Sequence, residues 1–264
     1  MNSALEKSLF VSLFLIFVVF QAVSKEVKWE ELPSIPDKEG FAGMFAGVSN
    51  GALLVGGGAN FPDKRPWEGG EKVWYEEIFF MESKKTGWVL SAQKLPQPLA
   101  YSVSGSYNDK VWVIGGNDAQ GHTSLVISLT YRNGEVVLEN DYPQLPVPLA
   151  SMTGTIVNGV FYVLGGQKTP TGLAEAKFYF LDLKKKRSEM KWEEGPQFPG
   201  EARIQAVAAS HKEAFYIFSG FGLFKNADES LGRTLLKDAY RFTPGDLPNQ
   251  GTWKKLEDLP RGVA

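Results

Sequence analysis

From Phe41 onward the chain alternates between two textures: stretches in which small apolar and small polar residues take turns, and short unbroken apolar runs. In "AYSVSGSYNDKVWVIGGND" (100–118), Tyr101, Val103 and Gly105 alternate with Ser102, Ser104 and Ser106, the period-two pattern of a strand. Asn108-Asp109 follows, a polar pair that tolerates positive φ in a tight turn. Val111–Ile114 is apolar without interruption, which predicts a strand buried on both faces. Gly115-Gly116 closes the unit, where the backbone needs positive φ or close approach by another chain segment. The local prediction is a β-hairpin.

The hairpin recurs. "FAGMFAGVSNGALLVGGG" (41–58), "ASMTGTIVNGVFYVLGGQ" (150–167) and "RIQAVAASHKEAFYIFSGF" (203–221) repeat the alternating strand, turn, apolar strand and small-residue stop. The stops at Gly56, Gly115, Gly165 and Ser219 fall at intervals of roughly 50 to 60 residues. A third strand pattern follows each hairpin: "YEEIFFME", "SLVISLTY", "AKFYFLDL" and "KDAYRF". An aromatic residue ahead of a Leu-Pro or near equivalent marks each exit: "WEELP" (29–33), "WVLSAQKLP" (88–96), "YPQLP" (142–146), "WEEGPQFP" (192–199) and "WKKLEDLP" (253–260). Four strands in a period of about 50 residues predict an all-β fold, a kelch-type β-propeller with four complete blades present. One four-stranded sheet cannot hide both faces, so blades stack and bury one another. The alternative is a sandwich of short strands. Residues 27–33 read as a lone fourth strand. On this reading the chain is C-terminally truncated from a ring of six blades.

The N-terminus reads differently from the rest. Lys7 precedes the apolar run Leu9–Phe20, and small residues stand at Ala22 and Ser24. This predicts a secretory signal over residues 1–24, with the propeller domain over 25–264. The run is short for a membrane span, which needs about 20 residues. No cysteine is present, so no disulfide framework is available. Export without cysteine suits a bacterial periplasm, or secretion from a bacterium, with no membrane partner after cleavage. The charge is nearly balanced, 28 Lys+Arg against 30 Asp+Glu, which gives no electrostatic case for nucleic acid. The basic run Lys184–Arg187 reads as a solvated hairpin tip.

Ligand-binding groups in such a fold gather at one end, where the lead-in to each inner strand meets the loop after the second strand. This places Asn60 and Arg65, Tyr101 and Asn117, and Arg203 and Gln205 at one mouth as candidate substrate-binding residues. Arg203 heads an inner strand, where its forked donors suit a carboxylate; the alternative is an arginine paired to Glu201 at the rim. Arg65 lies in the longest insert, "GGGANFPDKRPWEGGEKVW" (56–74). His122 and His211 are the only histidines, too few without cysteine for a copper–radical site, and no metal or cofactor is called for. The Ser-x-Asp-x-Gly-x-x-Trp box of sialidases does not occur.

"GFAGMFAGVSNGALLVGGGANFPDK" and "FPGEARIQAVAASHKEAFYIFSGFG" resemble segments of the N-acetylneuraminate epimerases, or sialic-acid mutarotases, which are secreted six-bladed kelch propellers. The second is similar to their Pro-Arg-Asp-Gln segment, with Arg203 and Gln205 in place. The order of segments resembles the cyclically permuted branch of that family. The resemblance implies an isomerase that interconverts the α and β anomers of N-acetylneuraminate by acid/base ring opening, with a sugar acid as its small-molecule partner. The catalytic glutamate and arginine implied by the family's Asn-Gly-Glu … Leu-Arg-Thr-Asp motif are not found in this chain, so no catalytic residue is assigned. The competing reading is a secreted kelch module that binds a protein or glycan without turnover, since fold does not fix function.

Overall fold

Four hairpins form where the alternating pattern placed them. In the computed structural model, which describes residues 28–264, each is completed by two further antiparallel strands to give four meandering sheets. Blade I comprises Phe45–Ser49, Ala52–Gly56, Ile78–Met81 and Val89–Leu90; blade II Val103–Tyr107, Lys110–Ile114, Val126–Arg132 and Glu135–Glu139. Blade III comprises Thr153–Val157, Val160–Leu164, Phe178–Asp182 and Trp192–Glu194; blade IV Val207–His211, Ala214–Phe218, Ala239–Pro244 and Gly251–Lys255. The fold is an all-β kelch-type propeller.

The hairpin turns use positive φ at both central residues, the geometry that matches strand twist. Asn50-Gly51, Asn108-Asp109 and Asn158-Gly159 have φ of 45° and 81°, 50° and 57°, and 50° and 74°. Blade IV makes the same turn with Lys212-Glu213 at 45° and 60°, a conformation that costs these side chains more than it costs Asn or Gly. The stops are also left-handed: Gly57-Gly58, Gly115-Gly116, Gly165-Gly166 and Ser219-Gly220 all have positive φ. The second residue of each pair donates its N–H to the following lead-in, at Leu99, Leu149, Arg203 and Val263 (2.8, 2.8, 2.9 and 3.0 Å). A Cβ on the first glycine of blades I–III would overlap those same carbonyls at Leu99, Leu149 and Arg203. The small-residue stops are therefore the joints between blades.

Apolar side chains that alternate along each second strand serve two neighbours. Val111 and Val113 join Phe45, Leu54, Ile78 and Phe80 between blades I and II. Trp112 and Ile114, from the same strand, join Phe161, Val163, Tyr179 and Leu181 between blades II and III. Tyr162, Phe178 and Phe180 meet Phe215, Ile217 and Phe242 between blades III and IV. Burying one such aromatic side chain contributes on the order of 1.5–3 kcal/mol. The exit tryptophans stitch the rim: Trp192 and Trp253 donate Nε1–H to the carbonyls of Pro143 and Pro196 in the preceding blade (2.9 and 3.2 Å), and Trp88 donates to Pro33 (2.7 Å).

The serines of the alternating strand in blade II have a specific task. Ser104 Oγ donates to the Ala46 carbonyl (2.9 Å) and accepts from the Ala46 N–H (3.2 Å), and Ser106 Oγ accepts from the Val48 N–H (2.7 Å). They satisfy backbone groups on the free edge of blade I's inner strand, which no sheet partner reaches.

Three expectations are corrected. The chain divides into Met1–Leu32 and Pro33–Ala264; of the first unit, residues 28–32 are exposed and carry no regular secondary structure. No strand forms over 28–33, because a single strand without a sheet has no ladder to join, and Val27 and the expected signal over 1–24 lie outside the described residues. Arg187 is not a solvated tip: it stacks on Tyr142 (4.4 Å) and pairs with Glu139 (3.0 Å) and Asp141. Finally, a hairpin of Phe221–Lys225 with Leu231–Leu235 is inserted between the second and third strands of blade IV, beyond the four strands that the repeat predicts.

Candidate functional site: the blade mouth

The lead-ins to the inner strands share one backbone device. Gly43, Tyr101, Ser151 and Gln205 occupy equivalent positions with φ of 69°, 56°, 58° and 54°. Tyr101 donates its N–H to Gly43 O, Ser151 to Tyr101 O and Gln205 to Ser151 O (2.8, 2.9 and 2.9 Å). This chain of bonds links the four blades around the mouth. Gly43 must be glycine for a second reason: a Cβ there would press on the Tyr101 amide and ring. The Tyr101 ring accordingly lies over blade I.

Blade I's insert closes on that ring. Its two-residue ladder pairs Ala59 with Trp74 and Asn60 with Val73, and a 3₁₀ turn at Pro66–Glu68 is capped by the Glu68 carboxylate on Arg65 N–H (3.2 Å). Between the insert and Tyr101 is a cleft of about 220 Å³. Asn60, Arg65, Trp67, Lys72 and Tyr101 line it, with Glu39 at one side and Ala42 and Ala59 beneath. Lys72 donates to Tyr101 Oη at 3.2 Å. Its ammonium lies 4.4 Å from the Tyr101 ring centroid and 4.9 Å from that of Trp74. Trp74 is in turn fixed by donating Nε1–H to Asn117 Oδ1 (2.9 Å).

The expected site residues divide into three groups. Asn60, Arg65 and Tyr101 come together in the cleft, and Asn117 fixes Trp74, against which Lys72 lies. Asn60 is occupied in part by structure: its amide donates to Gly40 O (2.8 Å) and accepts from Tyr75 Oη (2.7 Å). Burial, then the Asp37 charge, raises the Tyr75 phenol above its usual range. Arg65 is exposed and makes a long ion pair with Glu39 (3.8 Å). Gln205 is exposed one blade beyond Ser151, outside this cleft.

Arg203 is somewhere else altogether. It occupies the position that Leu99 and Leu149 hold in the other blades, and its side chain is fully enclosed. Nη1 and Nη2 grip the two Asp238 oxygens (2.7 and 2.9 Å), Nη1 also donates to Ser219 O (2.9 Å), and Nε donates to Glu201 O (2.9 Å). Phe198 lies against the guanidinium at 5.0 Å. The carboxylate it was expected to receive is an internal one. Burial pushes the Asp238 carboxyl up, but the Arg203 hydrogen bonds and charge outweigh it and hold the carboxyl below its ordinary value.

Lys72 and Trp67 were not legible as site residues. Lys72 stands in an unremarkable "GGEKVW", and only the ladder pairing of Trp74 carries it to Tyr101. The blade IV hairpin presents Glu229 and Arg233, both exposed, and neither lines the cleft. His122 is half-buried beside Asn117 through a bridge pairing, its buried Nδ1 has no hydrogen-bond partner among the described residues, and desolvation lowers its pKa. Among the described residues no group of three or more His, Asp or Glu side chains is placed to hold a metal ion, and no helix is long and apolar enough to cross a membrane.

Comparison with known proteins places the chain in a family. The chain is 39% identical over 126 residues to N-acetylneuraminate epimerase of Salmonella typhimurium (strain LT2), covering 43% of this chain and 32% of the relative. It is 39% identical over 132 residues to the Yersinia enterocolitica protein of the same name, again covering 43% and 32%. The aligned segment thus spans about a third of the length of these curated relatives. The solved structure of YjhT superposes with a TM-score of 0.74 at 16% identity, over 92% of this chain and 77% of that one, which supports the fold alone. The family model for N-acetylneuraminate epimerase matches residues 18–138 and 142–264, and the chain belongs to the N-acetylneuraminate epimerase family.

Proposed function

We propose that this protein interconverts the α and β anomers of N-acetylneuraminate, and that the mouth of the propeller is where the sugar acid binds. The observation that carries the reading is the family match over nearly all described residues, with a cationic cleft, Arg65 and Lys72 beside Tyr101, at the end where blade loops converge. The reaction is a balanced isomerisation. A base takes the anomeric hydroxyl proton, the ring C–O bond breaks as the ketone forms, and an acid protonates the departing ring oxygen. Rotation and reclosure on the other face of the carbonyl return both protons and give the second anomer. The carboxylate on the anomeric carbon needs a cation to hold it during this rotation.

The test is proton NMR of freshly released α-anomer with and without the protein. Faster approach to the anomeric equilibrium supports the reading. Binding without acceleration would instead favour a non-catalytic glycan-binding propeller, and no acceleration at stoichiometric protein ends the mutarotase reading. We further propose that the protein is exported, on the strength of Lys7 followed by the apolar run Leu9–Phe20. Mass spectrometry of protein from a bacterial periplasm should find a mature N-terminus near Lys25; an intact Met1 in the cytoplasm would refute this.

A further inference from the structure

The cations at the mouth are not equally free. Arg203 spends its donors on Asp238, Ser219 and Glu201 inside the fold. Arg65 leans toward Glu39, which Lys38 also approaches (3.6 Å). Lys72 has three N–H donors, one of which goes to Tyr101 Oη, and it makes no ion pair among the described residues. Two aromatic faces hold its ammonium and shed part of its water. A cation so placed is attracted by the rings and acts on an incoming anion through a less screened medium than bulk water.

Size adds a second constraint. Pockets that enclose whole ligands run from about 300 to 1,000 Å³, so a cleft of about 220 Å³ takes one end of a sugar acid rather than all of it. The remainder must lie across the rim, where Trp67 presents a flat apolar surface at 79% exposure. An exposed indole beside a polar cleft suits the C–H face of a sugar ring and lets its hydroxyls stay wet.

We propose that Lys72 is the residue that receives the carboxylate of the bound sugar acid, with Trp67 as the platform for the sugar beyond it. This rests on the sugar-acid reading above. Tyr101 and Trp74 act as positioning residues, holding the ammonium where the carboxylate arrives. Gly43 makes room for Tyr101, and Asn117 fixes Trp74.

The experiment is titration calorimetry on the whole chain with N-acetylneuraminate and, separately, its uncharged methyl ester. A charge-assisted hydrogen bond predicts that the unsubstituted protein prefers acid over ester by roughly 10- to 100-fold. In Lys72→Met that preference collapses to near unity, and Lys72→Arg restores most of it. Trp67→Ala weakens acid and ester by similar factors, since it removes a surface rather than a charge. Circular dichroism checks that each variant is folded, and Lys72→Gln replaces Lys72→Met if the latter is not. If the unsubstituted protein binds the acid and Lys72→Met keeps the acid preference, the carboxylate lies elsewhere and only this assignment falls. If the unsubstituted protein binds neither compound, the sugar-acid reading falls with it.

Discussion

Blades I and IV each set a cation against aromatic rings near the mouth, and the two cations have opposite fates. In blade IV, Arg203 lies against Phe198 with its side chain wholly enclosed, and a carboxylate from just ahead of the third strand, Asp238, fills its fork. In blade I, Lys72 lies against Tyr101 and Trp74 with no carboxylate among the described residues, and it opens onto a cleft. The difference comes from position within the repeat. Arg203 stands directly behind the blade joint, where Leu99 and Leu149 fill the gap between neighbours. Anything there must be buried, so a charge there must bring its own counter-charge. Lys72 stands in an insert outside the repeat, where blade II meets it with the ring and hydroxyl of Tyr101 rather than with a carboxylate. An arginine inside the joint is structure; a lysine outside it is available chemistry.

The largest test of this contrast is Arg203→Ala. It leaves Asp238 half-enclosed and unpaired, and breaking such a pair from one side typically costs about 3–5 kcal/mol. Urea unfolding should show that loss. The double variant Arg203→Leu with Asp238→Leu should recover most of it, because the blade I and II joints hold leucine at this place already. If Arg203→Ala instead unfolds like the unsubstituted protein but loses sugar-acid affinity, the two roles assigned here are reversed.

Gly43→Ala comes next. It adds a Cβ at φ +69° against the Tyr101 amide and ring, and strain of this kind costs on the order of 1–3 kcal/mol. Its more telling effect is on the cleft: Tyr101 is displaced, so Lys72 loses one wall. A melt lowered by a few degrees together with weakened acid binding is the expected result. Unchanged binding would show that Tyr101 does not position the cation.

Acid unfolding sharpens the comparison from the structural side. Lys110 above all, with Tyr142 and Arg187, holds Glu139 down to about 2 despite its partial burial. Asp238 is likewise held below its ordinary value. A depressed carboxyl gives stability that is complete above its unfolded pKa and lost as pH falls through its folded one. For Glu139 that window runs from 4.5 down to about 2. Glu139→Gln should flatten the stability curve across that window, read by chemical denaturation at stepped pH. A curve as steep as before would mean the Lys110–Glu139–Arg187 cluster contributes nothing.

Lys72→Met carries the smallest expected change in stability. It removes cation–π contacts worth about 0.5–1 kcal/mol each at exposed sites and one hydrogen bond to Tyr101 Oη, and breaks no ion pair among the described residues. Its melt should match that of the unsubstituted protein closely while the acid preference disappears. A large drop in the melt would move Lys72 into the structural class occupied by Arg203.

Much of the scaffold was legible because its signals are local. Asn50-Gly51, Asn108-Asp109 and Asn158-Gly159 announce their turns, and the glycine pairs announce the joints. The blade IV equivalents, Lys212-Glu213 and Ser219-Gly220, carry weaker signals and were recovered only through the repeat. The hairpin Phe221–Lys225 with Leu231–Leu235 was missed because its exposed strands lack a buried stripe. The alternating serines of blade II read correctly as strand, but their task of covering the Ala46 and Val48 edge depends on a neighbour 58 residues away.

By itself, then, the sequence determined the repeat and the four-stranded blade, since periodicity, turn chemistry and apolar runs act over a few residues. Only the tertiary structure decided which cation is free. Whether Arg203 meets Asp238, and whether Lys72 meets Tyr101 rather than an acid, depends on segments brought together by blade stacking and by one short ladder in the insert. Burial sets the cost of an unpaired charge, and burial is a property of the assembled blades that no run of residues carries alone.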